Sequence, residues 1–190
     1  MSVRHERGTG VEREFDLFVR HHARPLLGYC LRRSSHADAH EAAAEAFAIA
    51  WRRFEDVPDG DAGLYWLFGV ARRVLSNQRR GQIRLQRLTR RVGSLAEAPA
   101  PSVETVVVGS TQHQEVMAAL QRLQPSDQEI LALIVWDEVP RAEASRLLGI
   151  TEQAAHKRYQ RALGRLERAL RRVSGYENTT HPLVEEGGAK

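Results

Sequence analysis

The chain has 190 residues, with 28 Lys and Arg against 24 Asp and Glu, and its length allows one domain or two small ones. No run reaches the roughly 18 apolar residues of a membrane span, and the polar residues 1–10 hold no apolar secretory segment. Cys30 is the only cysteine, which excludes an intrachain disulfide; these features together point to the cytoplasm.

Residues 1–11 are polar and are expected to be disordered. From Phe15 through Phe18, Val19, Leu26, Leu27 and Leu31, apolar residues recur at three- and four-residue steps, the period of an amphipathic helix. The stretch DAHEAAAEAFAIAWRRF, 38–54, is alanine-rich and places Phe47, Trp51 and Phe54 on one stripe, with Asp38 and Glu41 as an N-cap pair. Proline and glycine in VPDGDAG, 57–63, break the chain. Helical periodicity resumes in LYWLFGVARRVLSNQRR, 64–80, whose apolar half leads into a basic half. Residues 92–111 lose arginine and gain proline, serine, alanine and glycine, the composition of a flexible linker, with VETVVV as an extended segment inside it.

Helix restarts near Gln112, with Met117, Leu120 and Leu123 on one face. Ser126 and Glu129 have capping-box spacing and predict a helix running through Leu131, Ile134 and Val135. Pro140 suits the first turn of the next helix, Gly149 its left-handed C-terminus, and Thr151 the cap of a last helix running to about Val173. Residues 139–166 therefore have the layout of a helix-turn-helix. In its second helix Ala155, Tyr159, Ala162 and Leu166 should face the core, leaving Glu152, Gln153, His156, Lys157, Gln160 and Arg161 outward, where such side chains can reach base edges and phosphates. The tail, 175–190, is polar and expected to be disordered.

Charge is distributed unevenly. From Arg72 to Arg91 there are eight arginines and no acid, and from Arg141 to Arg172 nine Lys and Arg face three glutamates. A charge run is often only a solvated face, but two separate basic blocks suggest two contacts with a polyanion, nucleic acid first among them.

The segment 119–170 resembles region 4 of the extracytoplasmic-function sigma factors, on Pro140, Glu143, Ala144, Leu148, Gly149, Arg158, Arg161 and Ala162. Taken alone, this half also resembles a response-regulator output domain. The first half separates the two, because DAHEAAAEAFAIAWRRF resembles region 2.2 and YWLFGVARRVLSNQRR resembles regions 2.3 and 2.4, on Trp66, Leu67, Ala71, Arg72 and Arg79. The resemblance runs from about Phe15 to Leu170, in the family's order.

The resemblance implies an all-α chain of two small domains: region 2 over 12–91 and region 4 over 112–174. It implies docking on core RNA polymerase (the beta-prime clamp and the beta flap) through Asp38, Glu41, Glu45, Phe47 and Trp51. It implies reading and melting of a promoter's minus-ten element by Trp66, Arg72, Arg73, Asn77, Arg79 and Arg80, with the loop 55–63 as a base-capturing element. The minus-thirty-five element falls to Thr151, Gln153, His156, Lys157, Arg158, Gln160 and Arg161. An anti-sigma factor is the implied inhibitor, and no enzyme activity, metal or cofactor is expected. Glu41, Ala44, Arg73, Asn77, His156 and Lys157 depart from the family's usual residues, so polymerase contact and base preference are open at those places.

Other chemistries find less support. Tyr65, Trp66 and Phe68 could stack on bases, but hydrophobic spacing alone explains Trp66 and Phe68 as core. His36 and His40 with Glu41 could share a face and bind a metal for a nuclease-like activity, yet the order is not His-Glu-x-x-His. His21 and His22 read as an exposed pair and Cys30 as a buried, inert thiol. A helix-turn-helix regulator that binds duplex DNA without polymerase is the alternative function.

Overall fold

In a computed structural model the structure describes residues 3–91 and 111–173. Its elements are α1 (Val3–Leu31), α2 (His36–Arg52), a single 3-10 turn (Phe54–Asp56), α3 (Asp61–Arg91), α4 (Thr111–Gln121), α5 (Pro125–Leu131) with a wider turn continuing it (Ala132–Trp136), α6 (Arg141–Leu148) and α7 (Glu152–Val173). No strand occurs among the described residues, so the all-α expectation holds. The linker with its VETVVV segment and the C-terminal tail lie outside the described residues.

The first unit packs α2 between α1 and α3. Ala39, Ala42, Ala43, Ala46 and Ala50 form a buried stripe along α2, and side chains this small let both neighbours approach closely. Leu26, Tyr29, Cys30, Leu67, Phe68, Ala71 and Val74 fill the space around them. Tyr29 lies parallel to Phe68 at 4.4 Å between ring centroids, an aromatic pair worth about 0.5–1.5 kcal/mol beyond its buried area. At the other end, Phe15 meets Trp51 at 4.9 Å and Phe54 at 5.2 Å, and Phe18 meets Phe47 and Phe54. In the second unit α7 is the central helix, against which α4, α5 and α6 pack, with Ile130, Leu131, Leu133, Ala144, Ala155 and Ala162 buried. The Asp127 carboxylate, nearly buried on α5, pairs with Arg165 of α7. The two units touch where α6 lies on α3.

Several local expectations are corrected. The segment 3–11 is helical rather than disordered, because once the packed part of α1 is nucleated each further residue gains a hydrogen bond without the cost of a new start. The cap of α2 is Ser35: its hydroxyl accepts from the Asp38 N–H at 3.3 Å and donates to the Asp38 carboxylate at 2.7 Å, so Asp38 is the third residue of the helix. Ser126 does not cap α5. Gln124 precedes Pro125 there and its carbonyl accepts from Asp127 N–H, while Glu129 is held by Arg33. The helix after it widens at 132–136, where Asp137 N–H donates to the Ala132 carbonyl five residues back. Pro140 stands just before α6 rather than in its first turn. His22 is buried rather than exposed. Gly149 takes the left-handed conformation (φ 65°) that ends α6, and Ala154 N–H donates to Thr151 Oγ1 at 3.2 Å, both as expected.

Candidate DNA-reading and docking surfaces

Glycine conformation sets the second unit's geometry. Gly149 turns the chain at the end of α6, Thr151 caps the new helix, and α7 leaves with its buried face fixed by Ala155, Tyr159 and Ala162. The opposite face exposes Thr151, Glu152, Gln153, His156, Lys157, Gln160 and Arg161, and Arg158 is half-buried beside it. Six of the seven residues expected to meet the minus-thirty-five element thus share one solvent face. Arg141, at the start of α6, approaches His156 Nδ1 at 3.2 Å, which ties the start of the first helix to the N-terminal part of the second. An amphipathic helix with amide, imidazole and cationic groups outward has the donor set for base edges and phosphates in a major groove.

In the first unit α3 runs eleven residues past the periodic stretch that ends at Arg80, with no proline there to break the helix. Arg72, Arg73, Asn77, Arg79, Arg80, Arg84 and Arg87 are all exposed along it, and Arg80 hydrogen-bonds Asn77 one turn back. Trp66 is half-buried and packed on the core, so it offers only part of its ring. Phe68 is buried on Tyr29 and belongs to the core, not to a stacking surface. The Tyr65 hydroxyl is pushed up by burial, with Asp61, Glu143 and Glu138 adding to the shift.

The break between α2 and α3 folds down onto α1. A Cβ added at Gly63 would stand 2.6 Å from the Pro58 carbonyl oxygen and 2.9 Å from the Phe18 ring, so this approach requires glycine. His22 lies beneath, edge-on to Phe18 at 4.6 Å, and its Nδ1 is buried with no hydrogen-bond partner. Burial lowers its pKa, His21 adds to this, and Asp61 opposes it.

On α2, Glu41 and Glu45 are exposed on one stripe. Asp38 is occupied, holding Ser35 and accepting from Gln82 Nε2 at 3.3 Å, so it orders the start of α2 and joins it to α3. Phe47 faces Phe18, while Trp51 is 45% exposed. The expected docking set therefore divides into two exposed acids with one exposed indole, and two residues turned to structural contacts. His36 and His40 do lie together, with ring centroids 4.5 Å apart and planes tilted by 46°, but no group of three His, Cys, Asp or Glu able to hold a metal occurs among the described residues. Cys30 is buried, and burial first, then Asp137 against Arg33 and Arg32, pushes its thiol up to about 11.

Sequence reasoning missed the contact between the units. Arg33, at the end of α1, donates from Nε to Glu129 at 3.1 Å and from Nη2 to Asp137 at 2.8 Å, and Arg32 also pairs with Asp137. These partners are separated by 96, 104 and 105 positions. No periodic signal connects residues so far apart.

Residues 18–85 match the family model described as Sigma-70 region 2, and residues 113–166 match the one described as Sigma-70, region 4. The chain belongs to the sigma-70 family. No curated protein matches its sequence. Among solved structures, this sigma factor is similar to the sigma factor RpoE of Bartonella quintana, solved with the anti-sigma factor NepR. The two are 23% identical, over 84% of this chain and 98% of that one, with a TM-score of 0.65. It is also similar to CnrH, solved with the cytosolic domain of CnrY, at 19% identity over 84% and 88% of the two chains and a TM-score of 0.55. These likenesses show the fold. The two family matches, region 2 followed by region 4, place this sigma factor among transcription regulators. No helix among the described residues is long and apolar enough to cross a membrane.

Proposed function

We propose that this sigma factor directs promoter-specific initiation as a subunit of RNA polymerase, in the manner of the extracytoplasmic-function group. The observation that carries the reading is the pairing of two basic, solvent-exposed helices on separate units of one chain: the outer face of α7 and the arginine-lined length of α3. One such face suits a simple DNA-binding protein. Two suit a bipartite promoter.

In this reading region 2 spans 12–91 and region 4 spans 112–174. Gln153, His156, Lys157, Gln160 and Arg161 read the minus-thirty-five element, with Thr151 and Arg158 at its phosphates. Arg72, Arg73, Asn77, Arg79 and Arg80 hold the minus-ten element, using the loop 55–63 and the exposed part of Trp66 to capture unstacked bases. Single-strand capture needs cationic side chains for phosphates and a shaped pocket for the base, and extruding a base costs a few kcal/mol. Glu41, Glu45 and Trp51 dock on core polymerase, with Asp38 and Phe47 shaping that face. An anti-sigma protein, such as the relatives in the solved complexes carry, is the expected inhibitor, and the site of action is the cytoplasm.

The test is co-purification of the full chain with core RNA polymerase, followed by run-off transcription from a promoter library. Stable association with selective initiation is expected. Tight binding to duplex DNA with no association to core polymerase would replace this reading with an autonomous regulator.

A further inference from the structure

Asp137 is the most enclosed acid at the boundary between the two units: its side chain has no exposure, while that of Arg33 has 10%. Arg33 commits its whole guanidinium there. Nε reaches both carboxylate oxygens of Glu129 at 3.2 and 3.1 Å, Nη2 reaches Asp137 at 2.8 Å, and Nη1 donates to the Tyr29 carbonyl at 3.0 Å. The same group lies 3.7 Å above the centre of the Tyr29 ring. Arg32 pairs with the other oxygen of Asp137. The turn that delivers Asp137 is unusual: it follows the widened turn at 132–136, and Glu138 beyond it sits at φ 53°, in the left-handed region without being glycine. Beside this network, α6 seats Leu147 against Gly69 of α3, with its Cδ2 3.4 Å from where a Cβ would stand.

A promoter cannot be read in this arrangement. Elements centred near minus-ten and minus-thirty-five are about 25 base pairs apart, roughly 85 Å at about 3.4 Å per pair. With α6 lying on α3 and the start of α7 one turn beyond α6, the two reading helices are only a few helix diameters of about 10 Å apart. The chain from Arg91 to Thr111 can stretch to about 70 Å, so it permits separation. What opposes separation is the buried charge network and the Leu147–Gly69 contact.

We infer that Arg32, Arg33, Glu129 and Asp137 form an intramolecular latch that holds regions 2 and 4 closed, and that productive engagement of polymerase and promoter must break it. The inference rests on the sigma reading for its consequence, but closure itself can be measured without polymerase. Ionic chemistry suits a latch. Breaking the pair by separating the units returns both charges to water, so desolvation offsets much of the Coulomb attraction and the closed form is held without being irreversible. Intramolecular tethering keeps the partners at high effective concentration, so the latch re-forms when nothing holds the units apart.

Two measurements on the full chain test this. Small-angle X-ray scattering should find the wild type compact, and the near-isosteric pair Glu129→Gln with Asp137→Asn expanded, with helix content by circular dichroism unchanged. That variant should also initiate about 5-fold or more better at limiting concentration, the lower end of ordinary coupling strengths. Second, Gly69→Cys with Leu147→Cys allows an oxidative cross-link across the closed contact, and buried Cys30 does not compete for it. The cross-linked protein should lose initiation and recover it on reduction. A folded Glu129/Asp137 variant with the wild-type radius of gyration, or a cross-linked chain that initiates as well as its reduced form, would overturn the latch. Failure of the wild type to initiate with core polymerase counts against the sigma reading instead, and scattering then decides closure alone.

Discussion

Glu138 holds a backbone conformation that costs an L-residue about 1–2 kcal/mol, while its side chain is exposed. Glycine there removes that strain but loses roughly 0.5–1 kcal/mol more backbone entropy on folding. Glu138→Gly is therefore expected to stabilise the protein by about 0.5–1 kcal/mol, read as a higher urea midpoint at unchanged slope; a lower midpoint would mean that the glutamate side chain contributes more than the backbone costs. His22 makes a second prediction at this scale. Its pKa is lowered in the fold by burial first and by His21 second. The folded state thus binds a proton less readily than the unfolded chain, so stability is full above the ordinary histidine value near 6.5 and declines as pH falls below it. His22→Leu should flatten the decline between pH 7 and pH 5 in denaturant titrations. An unchanged slope would place the acid sensitivity in other groups. Neither residue was legible in the sequence: the strain at Glu138 is set by the turn around it, and His22 next to His21 gives no sign of which ring is inside.

The helices were legible wherever residues close in sequence determine them. Gly149 with Thr151 marks the turn before α7, and the spacing of Ala155, Tyr159 and Ala162 fixes which face is buried. Reading failed where a tertiary partner took over a residue. Glu129 has capping-box spacing from Ser126 but is drawn to Arg33, and Asp38 looks like a cap but serves Ser35 and Gln82. The far end of α3 was not read because beyond Arg80 its residues are mostly exposed and carry little apolar periodicity, although they include no proline and only one glycine. For the candidate site the exposed face of α7 came directly from periodicity. Dividing α2 into free acids and engaged residues needed coordinates. The α7 face carries a prediction of its own. If Lys157 meets a phosphate, Lys157→Ala should weaken binding to all minus-thirty-five sequences alike and lower the salt slope by about 1. If Gln153 or Gln160 meets a base, its alanine variant should cost about 1–3 kcal/mol on the preferred promoter and relax selection at one position. Measured over a promoter library at two salt concentrations, equal losses for all three variants would remove the distinction between positioning and reading residues.

Across the described residues, charge is sorted by face rather than averaged. Glu41 and Glu45 project from α2, while α3 exposes arginines from Arg72 to Arg87 and α7 exposes Lys157 and Arg161. A net charge of +4 hides this separation. The acidic face suits a basic protein surface and the two basic faces suit nucleic acid, so one chain can hold both partners without the surfaces competing. The arrangement makes salt a means of telling the faces apart. Arg84 and Arg87 lie beyond the packed part of region 2, on a stretch of α3 without a single acid, so their guanidinium groups are available to phosphates and their removal leaves the core untouched. Replacing both with glutamine should lower the salt slope of promoter binding by the polymerase complex. The decrease should reach about 0.9 for each duplex phosphate no longer neutralised, and about 0.7 for each one on single strand. Association with core polymerase should not change. Glu41→Lys with Glu45→Lys should do the reverse, weakening association with core while the salt slope of promoter binding by the remaining complex stays constant. If both double variants shift both measurements, the charged faces do not act as separate surfaces, and the sorting along α2, α3 and α7 serves solubility rather than partner choice.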